Sequence, residues 1–183
     1  MDTVLAEAWT TERFLAWEDK QERKHEYDGQ RVIPMTGGSL GHQRIVSNLL
    51  FALMGLVDGQ TTHAAQEMRI RAGSKVRYPD VCAFSGRFDQ TLRTLSDANA
   101  IFEVLSDDTA TTDRVEKLLD YAALPSLRSY VLLEQTAIAA TLFRREQGGP
   151  WIATAHTGGT LDLAGLDMSL PLSGLYRGLT FTV

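Results

Sequence analysis

Glu103 stands in the middle of an otherwise apolar run, AIFEVLS at residues 100–106. The run has the make-up of a buried strand, with a polar break at Ser106. A carboxylate buried there without a partner costs on the order of several kcal/mol. Any fold that uses this strand must therefore neutralise Glu103, pair it with a cation from the chain, or bind a metal ion to it.

Composition narrows the choice. The 183 residues are enough for one substantial core, so a single domain over 1–183 is the expectation. Apolar residues make up 44% and charged residues 22%, an ordinary balance for a globular chain, and no apolar run is long enough to span a bilayer. The opening residues MDTVLAEAWTTERF lack a basic segment followed by a hydrophobic one, and a cytoplasmic protein is expected. Cys82 is the only cysteine and, between Val81 and Ala83, reads as a small core residue. The net charge of −5 argues mildly against tight nucleic-acid binding by the monomer surface, while leaving room for a locally basic cleft or for acidic residues gathered around a metal.

Along the chain, TTERFLAWEDKQER predicts a short amphipathic helix capped by Thr10 or Thr11. In KHEYDGQRVIPM the Asp28-Gly29 pair signals a hairpin. A long helix is predicted after GGSLGH, with Ile45, Leu49, Ala52, Leu53 and Leu56 on its apolar face and Gly59 at its end. Residues 62–84 read as one further hairpin turning at AGS. After a polar stretch come the strand holding Glu103, a helix TTDRVEKLLDYAAL closed by Pro125, and strands in SYVLLEQ, IAATLFRREQ and PWIATAH. The tail LPLSGLYRGL is ambiguous. Without repeats or linkers, the whole is a mixed α/β (α+β) arrangement.

Asp80 follows Pro79 on the outgoing arm of the second hairpin, and Glu103 lies on the next strand. If these strands are neighbours, the two carboxylates converge in the oxygen-rich setting that Mg²⁺ or Mn²⁺ prefers. Asp113, Lys117 and Tyr121 are four apart and share one helix face. A lysine there is placed to orient a water or to offset charge on a phosphate. Glu26, ahead of the first hairpin turn, and His42, in the first turn of the long helix, are further candidates for the same cleft.

Taken in order, EYDG, a histidine at the head of a long helix, YPD, FEVLS, and Asp, Lys and Tyr four apart in the next helix resemble the Uma-type restriction endonuclease family. That family is a branch of the PD-(D/E)XK nuclease superfamily. The resemblance runs from about Thr10 to about Phe143. It implies a restriction-endonuclease-like core, a mixed β-sheet flanked by helices, and Mg²⁺-dependent hydrolysis of phosphodiesters. By the same resemblance Asp80 and Glu103 are the metal-binding pair, Lys117 is the lysine moved to the following helix, and Glu26 is the acidic residue from the N-terminal part of the core. The position where the superfamily usually has its lysine holds Leu105.

Each residue also has a plainer role open to it. Asp80 fits the start of a turn, Glu103 an ion pair with Arg69 or Arg71, Asp113 and Lys117 an exposed pair, His42 a cap and Tyr121 a packing residue. The expectation is a Mg²⁺- or Mn²⁺-dependent endonuclease acting on DNA. Its rival is an idle nuclease-fold module that dimerises or associates with nucleic acid. A homodimer is expected because Leu142, Phe143 and Trp151 read as outward apolar positions on the late strands.

Overall fold

Thr10 accepts a hydrogen bond from the Arg13 amide at 3.2 Å and so caps helix α1 (Thr11–Glu18). The computed structural model describes residues 9–105 and 112–181, less the side chains of 112–115. Strands β1 (His25–Tyr27) and β2 (Val32–Pro34) pair antiparallel around a turn held by Asp28, whose Oδ1 accepts the Gln30 and Arg31 amides at 2.8 and 2.6 Å. Gly29 occupies that turn at φ +94°, a conformation that costs glycine little.

Helix α2 (Leu40–Met54) is capped by Ser39, which accepts from the His42 amide at 3.1 Å, and it buries Ile45, Val46, Leu49 and Leu53. It stops at Met54, earlier than the apolar spacing predicts, and Leu56 is exposed. Asp58 sets the new direction by accepting the amides of Gln60, Thr61 and Thr62.

The expected hairpin over 62–84 proves to be two strand pairs in different sheets. Strands β3 (Thr62–Gln66) and β6 (Val81–Ser85) pair in one sheet, while β4 (Arg69–Ala72) and β5 (Lys75–Arg77) pair in another. Both arms break at one level. Glu67 takes φ +46° on the way out, and Pro79, which has no N–H, interrupts the return. The Glu67 amide donates to the Asp80 carbonyl at 3.1 Å, so Asp80 sits at this corner, immediately before β6 and not within a strand.

The polar stretch after β6 contributes β7 (Thr94–Leu95), parallel to β4. Then follow β8 (Ala100–Val104), α3 (Thr112–Tyr121), β9 (Ser129–Leu133), β10 (Ala140–Arg144) and β11 (Ile152–His156). The tail resolves as β12 (Thr160–Leu163), β13 (Met168–Pro171) and α4 (Leu172–Leu175). One sheet runs β11-β10-β9-β8-β6-β3, a second β2-β1-β5-β4-β7, and β12 pairs with β13. In the first sheet β8 and β9 are parallel, joined through α3 as a β-α-β crossover, and the other pairs are antiparallel.

Side chains alternate across β8. Ala100, Phe102 and Val104 pack with Ile45, Leu49 and Leu53 of α2, while Ile101 packs with Tyr121, Leu124 and Tyr130 on the opposite face. Glu103 belongs to that second face, under α3. The outward reading of Leu142, Phe143 and Trp151 is corrected. Leu142 is buried in the first core, Phe143 and Trp151 pack on the second, and Arg145 lies over the Trp151 ring at 4.5 Å. Of the positions on which the homodimer expectation rests, Leu142 is buried and Phe143 and Trp151 are partly buried against the chain's own core. Among the described residues no helix is long and apolar enough to cross a membrane.

Candidate active site at the corner of two sheets

The register of β6 and β8 sets Val81 opposite Phe102, which brings Asp80 to the level of Glu103. Asp80 Oδ2 accepts the Val104 amide at 2.7 Å, tying the corner to the strand that carries Glu103. The first turn of α2 delivers His42, whose Nε2 lies 3.2 Å from the same oxygen. This contact holds the imidazole above its ordinary pKa, with burial opposing and the charges of Asp80 and Glu103 adding to it. His42 Nδ1 is buried with no hydrogen-bond partner among the described residues. Gly38 lies against the ring so closely that a Cβ there would stand 2.7 Å from Cγ and Nδ1. Ser39, the cap of α2, is further anchored by Gln135, which accepts from the Ser39 hydroxyl and donates to the Leu105 carbonyl at 3.0 Å.

Glu103 is 7% exposed. Its Oε1 accepts the Tyr121 hydroxyl at 3.0 Å and Lys117 Nζ at 3.3 Å, so the four-residue spacing on α3 aims both groups at one carboxylate oxygen. Burial, foremost, pushes the Glu103 pKa up to about 7; Asp80 and Glu26 add to the rise, and Lys117 and Tyr121 oppose it. The Tyr121 hydroxyl is itself held well above its ordinary value, chiefly by burial. Neither arginine considered for Glu103 is its partner. Arg69 pairs with Glu18 and Asp19 at 2.6 and 2.8 Å, and Arg71 with Glu12 at 2.8 Å. Tyr121 combines both readings, since its ring is packed in the core while its hydroxyl reaches the site.

Glu26 reaches the cluster from β1 and is engaged. Its Oε2 accepts Arg77 Nη1 at 2.9 Å, its Oε1 accepts the Tyr78 amide at 3.1 Å, and Lys117 Nζ lies 4.0 Å from that Oε1. Arg77 also donates through Nε and Nη2 to Asp120 at 3.0 and 2.6 Å, and Lys75 pairs with the same carboxylate. Sequence reasoning passed over Arg77, Asp120 and Gln135. A signal for the first existed: Lys75 and Arg77 are two apart on one strand, hence on one face, just ahead of Pro79-Asp80. The side chain of Asp113 lies outside the described residues, so its expected place beside Lys117 is not part of this geometry.

Asp80 and Glu103 are the carboxylates that could hold a hard divalent cation. Among the described residues, the hydrogen bonds and ion pairs of Asp80 fall on Oδ2 and those of Glu103 on Oε1. No group of three or more His, Cys, Asp or Glu placed to hold a metal occurs among these residues. Two carboxylates meet the demand of Mg²⁺, which keeps several waters and takes one or two carboxylates from a protein.

The Uma2 family profile, described as "Putative restriction endonuclease", matches residues 11–178. The uncharacterized protein slr1290 of Synechocystis sp. is 29% identical over 175 residues, covering 93% of this chain and 92% of that protein. A second uncharacterized Synechocystis protein, sll1609, is 26% identical over 155 residues, covering 81% of this chain and 88% of its own length. The crystal structure of an Anabaena variabilis protein, described as a "putative nuclease belonging to DUF820", aligns with a TM-score of 0.76 at 16% identity, over 92% of this chain and 97% of that one. At such identity the likeness is one of fold, and it places the mixed sheet and its flanking helices in the restriction-endonuclease-like class. With the profile matched from the start of α1 to just beyond α4, the chain belongs to the Uma2 family.

Proposed function

We propose that this protein is a Mg²⁺- or Mn²⁺-dependent nuclease that hydrolyses phosphodiester bonds in DNA. The observation that carries the reading is the meeting of Asp80, Glu103 and Lys117, with Lys117 Nζ 3.3 Å from Glu103 Oε1 and Asp80 bonded to the residue after Glu103. The family's description, "Putative restriction endonuclease", supports the reaction class, and DNA is the substrate this reading adds.

Asp80 and Glu103 would hold the cation. When bound, it supplies a lowered pKa for the attacking water and positive charge beside the phosphoryl oxygens. The chain's own groups do the rest. His42 fixes Asp80 Oδ2, and Tyr121 fixes Glu103 Oε1. The Lys117 ammonium would bring positive charge to a non-bridging phosphate oxygen, where negative charge grows as water adds in line and the bond to the leaving sugar oxygen breaks. Glu26 acts through Arg77 and Lys117 and completes the acidic cleft from behind.

A cleavage screen tests this. Supercoiled plasmid, linear duplex, single-stranded DNA and RNA are incubated with the protein in Mg²⁺, in Mn²⁺ and in EDTA. Cleavage of a DNA substrate in either cation and none in EDTA is expected. Intact substrates under every condition, or cleavage unaffected by EDTA, would overturn the proposal.

A further inference from the structure

Lys117 stands between two buried carboxylates, 3.3 Å from Glu103 Oε1 and 4.0 Å from Glu26 Oε1. In a cleft poor in water an ammonium is drawn to whichever carboxylate carries more uncompensated charge. Arg77 decides that competition. Arg77 is 4% exposed; its guanidinium gives Nη1 to Glu26, while Nε and Nη2 go to Asp120. Asp120 is on α3, immediately before Tyr121, so the same guanidinium fastens to β5 the helix from which Lys117 projects. Glu26 in turn takes the Tyr78 amide, two residues before Asp80, and so ties down the corner that bears Asp80. A planar fork with donors on several edges holds both carboxylates in fixed directions, whereas a lysine's ammonium acts as a point charge that can swing between them.

We propose that Arg77 is the positioning residue of this site: by neutralising Glu26 and anchoring Asp120, it directs the Lys117 ammonium to Glu103. The activity arm of the proposal rests on the nuclease reading; its structural arm does not. A guanidinium this deeply buried is costly unless fully paired, and its pairing with one carboxylate from β1 and one from α3 is what gives the lysine a fixed address.

The test compares wild type, Arg77→Met and Arg77→Met/Glu26→Gln by crystallography and by plasmid nicking. In Arg77→Met, Lys117 Nζ should move to hydrogen-bonding distance of Glu26 and away from Glu103. Its kcat should fall about 10- to 100-fold, with KM and the half-saturating Mg²⁺ concentration changed less than about twofold. In the double variant, with Glu26 uncharged, Lys117 should return to Glu103 and kcat should recover about threefold or more over Arg77→Met, without reaching wild type, which a mere loss of stability would not produce. If Arg77→Met does not fold, Arg77→Met/Asp120→Asn leaves Glu26 as the carboxylate for Lys117 to neutralise and should show the same displacement. Lys117 remaining on Glu103 in the folded variants, or a kcat loss not recovered by Glu26→Gln, would overturn the proposal. Should the wild type cleave nothing, the nuclease reading falls, and the Lys117 distances in the crystal structures decide this inference alone.

Discussion

Lys117 Nζ and Glu103 Oε1 meet at 3.3 Å although one comes from a helix and the other from the strand before it. Two residues on from Glu103 stands Leu105, and the lysine that meets Glu103 comes instead from α3. Lys117→Ala keeps the carboxylate oxygens and removes a positive charge beside them. Metal affinity should hold or rise while cleavage falls by about two orders of magnitude. Calorimetric titration of Mn²⁺ and nicking assays on one preparation check this; joint loss of binding and cleavage would make Lys117 a structural residue.

Gly38 is tied to His42 by lack of space. A methyl group there would stand 2.7 Å from the ring's Cγ, near the stiff end of the side chain at the start of α2. Gly38→Ala should push the imidazole off Asp80 and destabilise the protein by about 1 to 3 kcal/mol, the usual range for overpacking. Denaturant unfolding measures the loss of stability, and nicking the loss of the His42–Asp80 contact. Unchanged stability and an unchanged rate would show that the ring moves freely and does not hold Asp80.

The site also sets a pH dependence for the metal-free protein. Glu103 is raised to about 7 from an unfolded value near 4.5, so between these values the folded state keeps a proton that the unfolded state loses. Stability from this group therefore falls as pH rises from about 4.5 to about 7, by roughly 3 kcal/mol, and levels off above. His42, raised above 6.5, contributes stability that is full below that value and is lost as pH rises through its folded pKa. In EDTA the difference in unfolding free energy between wild type and Glu103→Gln should decline across pH 4.5 to 7. A flat difference would show that burial does not raise Glu103.

The site's main groups were legible because their signals are local. Glu103 is conspicuous as a charge in an apolar strand, and Lys117 and Tyr121 lie on one helix face by spacing alone. Asp80 is marked by Pro79, and its convergence with Glu103 needed only the pairing of neighbouring strands. Arg77 and Asp120 stayed hidden because their meaning arises where the second sheet packs against α3, a contact between elements far apart in the chain. The split of residues 62–84 between two sheets was hidden for a related reason. Pro79 marks a break on one arm, but Glu67 carries no sequence sign of its positive φ. In the late strands the two-residue period separates faces without saying which face another element will cover, and Leu142 was assigned to the wrong one.

The most direct test of the account is the melting temperature of wild type and Glu103→Gln in EDTA, Mg²⁺ and Mn²⁺ near neutral pH. Without metal, Asp80 and Glu103 repel in a buried setting, and the glutamine relieves that repulsion while keeping the side chain's size. The account predicts that the variant melts higher than wild type in EDTA and gains little from either cation. It predicts that wild type gains roughly 2 to 3 kcal/mol when free metal is about a hundredfold above its dissociation constant. A wild-type melting temperature indifferent to both cations, with a variant that melts lower in EDTA, would contradict the metal site and leave Glu103 as the structural partner of Lys117 and Tyr121.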